Sequence, residues 1–340
     1  MRSFASDNNS GISPEIIEAI ASANKDHAVG YGNDEWSRQA TAIIDKAFGG
    51  GTQVLFTFNG TGSNCVALEL CTQSFGMILC ADTAHIVIDE CGAPGKMTGA
   101  AIKTIHTPDG KLTPELLKPY LTGFGEQHHS QPQAIYLSQP TEFGTLYTIN
   151  ELKAITTLAH SHGMNVHMDG ARLANACAAL GVGLDELTSR CGIDVVSFGG
   201  TKNGLMIGEC VVVINKNLAT NAPYIRKQSA QLASKQRFLA CQFTAYFKDN
   251  LWLKNAQHAN TAATKLRAQL EKLPEIHFTQ PTQSNQLFLT LPPQAAKKLA
   301  KKQAFFLWNE ETTEIRFVTS FDTTAQDIHA LVNDVIEALG

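Results

Sequence analysis

Four polar groups stand where apolar runs of this chain end. The turn Asn59-Gly60-Thr61-Gly62 follows "QVLFTF", and Asp169 closes "NVHMD". Lys202 lies in "GGTKNG" after the run "VVSF", and His85 follows "GMILC" in the segment "CADTAHIVIDECG". Each group can hold an anion, a charge or a proton. If one edge of a sheet collects all four, they form a site.

The glycine-containing turn is able to bind a phosphate. Small residues at the start of a helix expose backbone N–H groups, and the helix dipole favours an anion there. Gly60, Thr61 and Gly62 would supply those groups. The alternative is a plain strand-to-helix turn with a hydroxyl cap. The turn is not a dinucleotide fingerprint, because it lacks both Gly-x-Gly-x-x-Gly and a Gly-Lys-Ser/Thr ending.

Lys202, Asp169 and His85 each have a chemical and a structural interpretation. A lysine in low-polarity surroundings has a depressed pKa, and its neutral amine can form a Schiff base. Asp169 needs a cationic or N–H partner if it is buried, and Arg172 nearby is a candidate. His85 is either a capping histidine or a flat ring that can stack and carry a proton.

The elements that must position these groups read as an α/β sheet. Strands that are apolar on both faces and alternate with helices indicate a largely parallel sheet covered on two sides. Ligands of such sheets bind at the carboxyl ends of the strands, which is where the four groups stand. The predicted strands are "QVLFTF", "GMILC", "AAIKTI", "QAIYLS", "NVHMD", "VVSFGG" and "CVVVI".

Three parts of the chain are predicted. Residues 1–50 form an N-terminal arm, with one helix starting at Ser13-Pro14-Glu15 and a second running through Phe48. Residues 51–250 form the large α/β domain. Residues 251–340 form a smaller C-terminal α+β domain, and a long helical stretch at about 220–272 joins the two.

Taken together, the four groups match the requirements of pyridoxal 5′-phosphate. That cofactor needs a phosphate cup, a Schiff-base lysine, a flat ring to stack on it and a carboxylate. Asp169 would keep the pyridine nitrogen protonated, so that the ring accepts electrons. The order along the chain, from phosphate turn to aspartate to lysine, is that of the aspartate-aminotransferase-like enzymes.

Motifs along nearly the whole chain resemble the low-specificity L-threonine aldolases, especially the bacterial branch that includes phenylserine aldolases. The resemblance implies a PLP-dependent transferase-like fold (fold type I), with a mainly parallel seven-stranded sheet between helices. It implies cleavage of L-threonine or L-allo-threonine to glycine and acetaldehyde. It also implies a homotetramer with active sites at dimer interfaces. The matching segments are "FASDNNSG", "GYGNDEW", "DTAHIVIDECGA", "MDGARLANA", "SFGGTKNG" and "IRFVTSFD".

The resemblance also implies cofactor contacts. Lys202 would form the Schiff base, and Asp169 would bind the pyridine nitrogen. Gly60 and Thr61 would bind the phosphate. His85 would stack on the ring and approach the substrate hydroxyl.

Substrate contacts follow from the same resemblance. Ser6, Arg172 and Arg316 would hold the carboxylate, with Arg172 also near the cofactor's phenolic oxygen. Arg316 lies in the apolar run "EIRFV", where it is either an exposed edge residue or a bidentate carboxylate fork. Tyr31 would reach the neighbouring subunit's site, and Arg237 is the predicted arginine of the basic segment that crosses the interface.

One position departs from the family pattern. Many members have Glu-Asn-Thr-His after the strand that here ends in "YLSQPTEFG", and their histidine recognises the β-hydroxyl group. The matching residue here is Glu142. The acceptor of the hydroxyl proton is therefore Glu142, His85 or a bound water, and the change is expected to alter the preference among β-substituents.

The net charge, the apolar runs and the cysteine and histidine content set further limits on function and location. The net charge is −4 without a basic block, which argues against nucleic acid or an anionic membrane as partner. No apolar run reaches the roughly 18 residues of a spanning helix. The eight cysteines include no Cys-x-x-Cys pair and predict reduced thiols in the cytoplasm. The histidines at 160, 162 and 167 are interpreted as structural, so no metal is predicted.

Two other functions remain open from the sequence alone. One keeps the cofactor and changes the reaction, to that of a β-eliminating lyase or an aminotransferase. The other is a protein without this cofactor that binds a nucleotide or sugar phosphate at the Gly60 turn.

Overall fold

A seven-stranded sheet forms the centre of the computed structural model, which describes residues 2–340. The spatial order is β1-β7-β6-β5-β4-β2-β3. β7 runs antiparallel to its two neighbours, and the other pairs are parallel. All seven strands occur where the apolar runs predicted them. Their bounds are β1 Gln53–Thr57, β2 Gly76–Ala81, β3 Ala101–Ile105, β4 Gln131–Ser138, β5 Asn165–Gly170, β6 Val195–Gly199 and β7 Glu209–Val213.

The central strands are apolar on both faces because each face packs under helices. In β6, Val195 belongs to one hydrophobic core and Val196 to the other. In β7, Val213 and Val212 divide in the same way. Side chains of a strand alternate between the two faces of the sheet, so a strand buried on both sides has no polar face. The prediction of a mainly parallel sheet between helices is confirmed.

Fifteen α-helices surround the two sheets of residues 2–340. Their bounds are α1 Pro14–Ala23, α2 Glu35–Ala47, α3 Gly60–Cys71, α4 His85–Ile88, α5 Ala93–Thr98, α6 Pro114–Leu117, α7 Ile149–Ser161, α8 Leu173–Leu180, α9 Leu184–Leu187, α10 Lys216–Ala219, α11 Ala222–Gln228, α12 Arg237–Phe247, α13 Leu251–Leu270, α14 Pro293–Leu299 and α15 Ala325–Leu339. The helical stretch predicted at 220–272 is not continuous. Ala230 (φ 59°) and the pair Asp249 and Asn250 (φ 51° and 56°) take left-handed backbone that ends α-helical geometry.

A second, antiparallel sheet lies in the C-terminal part of the chain. Its strands are β8 His277–Phe278, β9 Gln286–Thr290, β10 Phe306–Asn309 and β11 Glu314–Val318, in the order β10-β11-β9-β8. It shares a separate core with α14, α15 and the C-terminal half of α13. Because Trp252 and Ala256 belong to the first core, α13 connects the two. The α+β character is confirmed, and the boundaries at residues 50 and 250 stay predictions.

The N-terminal arm links the small sheet to the turn that carries Lys202. Val318 donates its N–H to the carbonyl of Phe4 at 2.8 Å, beside β11. Further along, Ser13 donates its N–H to the carbonyl of Gly204 at 2.9 Å, one turn beyond Lys202. The segment between these two anchors, which includes Ser6 and Asp7, is therefore held against the site.

No helix within residues 2–340 combines the length and the apolar character that crossing a membrane requires. All eight cysteines are free thiols, and only Cys91 is exposed. His160 and His167 have structural partners: the imidazole of His160 lies 2.9 Å from the Asp194 carboxylate, and that of His167 lies 2.9 Å from the Ser197 hydroxyl. Burial lowers the pKa of His167 to about 4, so its ring is neutral.

Candidate active site

The carboxyl edge of β4, β5 and β6 brings the predicted groups together. The parallel register sets Asp169 of β5 beside Ser138 of β4 and Ser197 of β6. A 3₁₀ turn, Thr201–Asn203, follows β6 directly and carries Lys202. Parallel strands end at the same edge of a sheet, which is why residues far apart in the chain meet here.

Asp169 is a buried carboxylate that accepts three hydrogen bonds. Its Oδ2 accepts from the Asn64 amide at 2.9 Å and from the Tyr136 hydroxyl at 2.7 Å, and its Oδ1 accepts from the N–H of Ala171 at 2.9 Å. Burial raises the pKa of Asp169, but the charge of His85 and these donors lower it by more, and the net pKa is below its usual value. The group is therefore ionised, and one of its roughly four acceptor positions is unused.

Lys202 has a partly buried side chain without a hydrogen bond or an ion pair to residues 2–340. Burial and the nearby charge of Arg172 lower the pKa of its amine, against the opposing charges of Asp7, Asp169 and Glu209. A lysine amine with a lowered pKa spends more time neutral and can attack an aldehyde carbon. The structure thus supports the reactivity that the sequence suggested.

Glycines and a buried carboxylate shape the backbone that carries Lys202. A side chain on Gly199 would overlap the backbone of Ala171, so this strand end must be glycine for the two segments to approach. The N–H of Gly200 donates to Glu209 Oε2 at 2.7 Å. Burial raises the pKa of Glu209 to about 7. Beyond the lysine, the Asn203 amide donates to the hydroxyl of Tyr246 at 2.6 Å, which fixes the end of the turn.

The glycine-containing turn lies at the N-terminus of α3. The Asn59 side chain accepts from the N–H of Gly62 at 2.8 Å, so that donor is already used. The N–H groups of Gly60 and Thr61 have no acceptor within the helix, and a Cβ added at Gly60 would meet nothing within 4 Å. At Gly62 it would overlap Gln231. The open donors are those of Gly60 and Thr61, and Gly62 is required by packing.

His85 begins α4, and the carboxylate of Glu90 orients its imidazole ring. Its Nδ1 lies 2.8 Å from Glu90 Oε1, which also accepts from the Asn64 amide at 2.8 Å. Burial lowers the pKa of His85, but the hydrogen bond to Glu90 and the charge of Asp169 raise it by more. The net pKa is above its usual value. Asn64 therefore connects the partner of His85 to Asp169.

Glu142 supports the backbone of His85. Its Oε1 accepts from the N–H of His85 at 2.9 Å and from the Ser138 hydroxyl at 2.7 Å. Neither bond uses Oε2. Burial raises the pKa of Glu142 above its usual value, and these two hydrogen bonds lower it by less.

The same cluster has the donor atoms of a metal site. Ligand atoms of His85, Glu90 and Asp169 lie within 4.8 Å of one another. Hydrogen bonds from the Asn64 amide already join the two carboxylates. The prediction that the protein holds no metal is not tested by this geometry.

Arg172 and Arg316 approach the site with different partners. Arg172 does not pair with Asp169: its Nε and Nη2 bind the Asp7 carboxylate at 2.7 and 2.8 Å. Arg316 reaches only the carbonyl of Ala5, at 3.4 Å, and its buried Nε has no partner. Burial and the charge of Arg172 lower the pKa of Arg316 to about 10. Of the two guanidinium groups, only that of Arg316 is without a carboxylate.

The aromatic side chains of Phe306 and Trp308 orient Arg316. Their ring centres lie 4.9 and 5.6 Å from its guanidinium carbon, and both residues belong to β10, which pairs with β11. Stacking on aromatic rings leaves the planar edge of the guanidinium available for an anion. Arg316 is not an exposed edge residue, because it is partly buried and β11 lies between β10 and β9 in the sheet.

Three other predicted residues have local partners. The Ser6 hydroxyl accepts from the N–H of Asn8 at 3.2 Å and caps the 3₁₀ turn Asp7–Asn9. Tyr31 is 54% exposed, with the Lys227 amine 5.4 Å from its ring centre. Arg237 donates to the carbonyls of two residues of its own chain, Lys25 and Asp26. Roles of Tyr31 and Arg237 across a subunit interface stay predictions.

Sequence reasoning missed four residues of the site. Asn64 and Glu90 connect Asp169 to His85, Tyr136 donates to Asp169, and Asp7 binds Arg172. Asn64 could have been noticed in the sequence, because it is an amide that directly precedes the apolar residues of α3. Asp7 could not, because its partner lies on a distant segment.

Comparison with known proteins agrees with this geometry. Residues 3–292 match the β-eliminating lyase family. The chain is 39% identical over 339 residues to the low specificity L-threonine aldolase of Pseudomonas aeruginosa, covering 99% of this chain and 98% of that one. It is 39% identical to the enzyme of the same description from a Pseudomonas sp., over 98% and 96% of the two chains. A solved threonine aldolase from Leishmania major superposes with a TM-score of 0.94 at 30% identity, with both chains fully covered. The chain belongs to the β-eliminating lyase family and groups there with the low specificity L-threonine aldolases.

Proposed function

We propose that the protein is a pyridoxal-phosphate-dependent aldolase that cleaves L-threonine and L-allo-threonine to glycine and acetaldehyde. The observation that carries the proposal is the Lys202 amine, which is unpaired and close to the charges of Asp169 and Arg172. The names of the 39% identical relatives support the substrate class. Other β-hydroxy-α-amino acids such as phenylserine are further substrates to test.

The residues of the site fit the cofactor. Asp169 is ionised and has one acceptor position left for a protonated ring nitrogen. The N–H groups of Gly60 and Thr61 are in the first turn of α3, without an acceptor in the helix, and the space beside Gly60 is open, which suits a phosphate. His85 is held by Glu90, which Asn64 connects to Asp169. Lys202 supplies the amine that binds the aldehyde. When bound, the cofactor supplies the electron sink that permits cleavage at Cα.

The chain decides which bond is broken by orienting the substrate. Arg316 offers its free guanidinium to the substrate carboxylate, with Ser6 and Arg172 beside it. A fixed carboxylate sets the rotation about the amine–Cα bond and so brings Cα–Cβ into the reactive direction. A group that accepts the β-hydroxyl proton then completes the cleavage.

Glu142 is the proposed acceptor of the β-hydroxyl proton. Oε1 is fixed by His85 and Ser138, while Oε2 is unused and able to accept. The raised pKa of Glu142 makes its carboxylate a stronger base, whereas the raised pKa of His85 favours the protonated ring, which cannot accept. This difference favours Glu142 over His85, and a water held by Glu142 would serve the same proton transfer.

We expect Glu142→Gln to lower kcat for L-threonine by roughly 10²-fold, the usual contribution of a general base. Glutamine keeps an oxygen for His85 and Ser138 but cannot take up a proton. In the unaltered protein activity should rise with pH as Glu142 ionises, and this acidic limb should be absent from the variant. Steady-state rates from pH 5 to 9 measure both effects. Ser138→Ala, which removes a contact without removing the base, is the control. Unchanged kcat and an unchanged limb in Glu142→Gln would assign Glu142 to backbone support alone.

Replacing Arg316 tests the carboxylate fork. We expect Arg316→Ala to raise KM for L-threonine by roughly 10- to 100-fold, because a charge-assisted bidentate contact of about 1.5–3 kcal/mol is lost. Arg316→Lys should recover part of the affinity, since it keeps the charge without the fork. The matched control is Arg267→Ala, which removes an arginine that stacks on Phe278 away from the site. Equal KM values in Arg316→Ala and the unaltered protein would contradict the assignment.

A substrate panel tests the reaction itself. L-Threonine, L-allo-threonine, D-threonine and β-phenylserine are each assayed for glycine and for aldehyde. Release of both from the L-amino acids supports the aldolase. Keto-acid formation would identify an aminotransferase, and ammonia with a keto acid would identify a β-eliminating lyase. Failure of the purified protein to take up pyridoxal phosphate would favour the phosphate-binding protein.

We also propose a cytoplasmic homotetramer with active sites at dimer interfaces. Exposed apolar side chains are found on the loops of Tyr31 and Met206, and Val29 is 67% exposed. The seven buried thiols suit a reducing compartment. Molar mass by light scattering and the activity of a Tyr31→Ala variant test the assembly.

A further inference from the structure

The carboxylate of Asp7 binds Arg172, one of the two arginines predicted to hold the substrate carboxylate. Its two oxygens face Nε and Nη2 of Arg172 at 2.7 and 2.8 Å, which is the bidentate geometry of an arginine–carboxylate pair. The side chain of Asp7 is 1% exposed. Asn285 donates a further hydrogen bond to Oδ2 at 3.0 Å. Asp7 is therefore fixed on both sides.

This pairing changes what Arg172 can offer. With Nε and one N–H of Nη2 engaged, Asp7 occupies the side-on fork of the Arg172 guanidinium, and only the end-on N–H groups of Nη1 and Nη2 remain. The charges of Asp7 and Arg172 also cancel. Arg316 has no carboxylate partner, and its buried Nε is unsatisfied. The two arginines are close enough for the charge of Arg172 to lower the pKa of Arg316.

We propose that Asp7 is a positioning residue that withholds the side-on fork of Arg172, formed by Nε and Nη2, neutralises its charge, and so directs the substrate carboxylate to Arg316. Arg172 then contributes only its end-on N–H groups, in a fixed direction. The inference rests on the proposed function, since it concerns how an amino-acid substrate is oriented. The N-terminal arm would then serve to position Asp7, because the backbone hydrogen bonds of Phe4 and Ser13 hold this segment in place.

The electrostatic consequence reaches Lys202. The charged groups that act on its amine are Arg172, Asp7, Asp169 and Glu209. Asp7 is one of the negative charges that offset Arg172 there. Removing this charge leaves Arg172 uncompensated and disfavours a positive charge on the Lys202 nitrogen, whether free or bound to the cofactor. The effect needs no substrate to be observed.

Asp7→Asn is the first test. We expect kcat for L-threonine to fall about 10-fold while KM does not rise. The released Arg172 fork attracts the carboxylate into non-productive orientations, which lowers kcat and KM together. In the holoenzyme without substrate, the pH midpoint of the cofactor's absorbance change should move down by roughly one unit. The control is Asp322→Asn, which removes one of the two ion pairs of Arg2 on the same arm and leaves Arg172 untouched.

The second test combines Asp7→Asn with Arg316→Ala. If Asp7 withholds the fork, Arg316→Ala should raise KM several-fold less in the Asp7→Asn background than in the unaltered protein, because the freed Arg172 takes over. A purely structural role for Asp7 predicts no such coupling between the two changes. If Asp7→Asn does not fold, Asp7→Glu keeps the charge and moves the carboxylate. It should lower kcat without moving the absorbance midpoint.

Several outcomes would overturn the inference. They are an unchanged kcat with a raised KM in Asp7→Asn, an unchanged absorbance midpoint, equal effects of Asp7→Asn and Asp322→Asn, or unaltered kcat in Asp7→Glu. The absorbance titration separates this failure from failure of the proposed function. If the unaltered protein binds the cofactor but cleaves none of the L-amino acids, the reaction assignment fails while the midpoint still reports on the Asp7–Arg172 pair.

Discussion

Changing Lys202 to alanine should lower kcat/KM for L-threonine by at least about 10³-fold, equivalent to roughly 4 kcal/mol of transition-state stabilisation. In the proposed function, this amine binds the cofactor covalently and delivers it to the substrate amine. Its freedom from other partners and its lowered pKa prepare it for this role. The same variant should lose the absorbance of the bound cofactor and its trapping by borohydride. Aldehyde release and the visible spectrum measure the two effects.

A control separates the loss of this amine from the loss of any lysine. Lys297→Ala removes an exposed amine on α14 and should keep both the spectrum and the activity. The fold of Lys202→Ala should persist, because the side chain makes no hydrogen bond that the turn depends on; Glu209 and Asn203 hold that backbone. Near-normal turnover in a folded Lys202→Ala protein would exclude Schiff-base chemistry at this residue.

The sheet was predictable because its signal is local. Each buried strand is a short apolar run, and the helices between such runs make parallel connections the natural arrangement. From that topology it follows that Asp169 and Lys202, at the ends of adjacent strands, share one edge. The position of the glycine-containing turn was predictable for the same reason, since a strand end and a helix start are both visible in "FTFNGTGSN".

The partners of these residues were not predictable, because pairing over long sequence separations leaves no local trace. Arg172 could be expected to bind the neighbouring Asp169, yet it binds Asp7 on the arm. The three donors to Asp169 come from α3, β4 and the segment after β5. Only the packing of these elements decides which donor reaches which oxygen. The role of Gly62 depended likewise on Gln231.

Glu142 shows how the structure narrows a choice that the sequence left open. The sequence placed a carboxylate where many relatives have a histidine, with three possible proton acceptors. The structure shows Oε1 bound to the backbone of His85, so that Glu142 and His85 are parts of one arrangement. Because the hydrogen bond to Glu90 favours the protonated form of His85, we propose Glu142 as the proton acceptor.

Changing Asp169 to asparagine should lower kcat by roughly 10²- to 10³-fold while the cofactor stays bound. An ionised carboxylate stabilises a protonated ring nitrogen, and a neutral amide of the same shape cannot do so. The pKa of Asp169 is held below its usual value, so the charge is present throughout the working pH range. Because Lys202 is intact, the variant should still show the cofactor's absorbance. Single-turnover rates with L-threonine measure the loss.

Tyr136→Phe gives the matched control for this charge. It removes one of the three donors to Asp169 and leaves the carboxylate ionised. Loss of the hydroxyl at residue 136 should therefore lower kcat only a few-fold, whereas loss of the charge at Asp169 should lower it a hundredfold or more. If both variants lost the same factor, orientation of the carboxylate and not its charge would be what the reaction requires. If Asp169→Asn kept full activity, the ring nitrogen would not need a charged partner, and the fit of this edge of the sheet to the cofactor would be wrong.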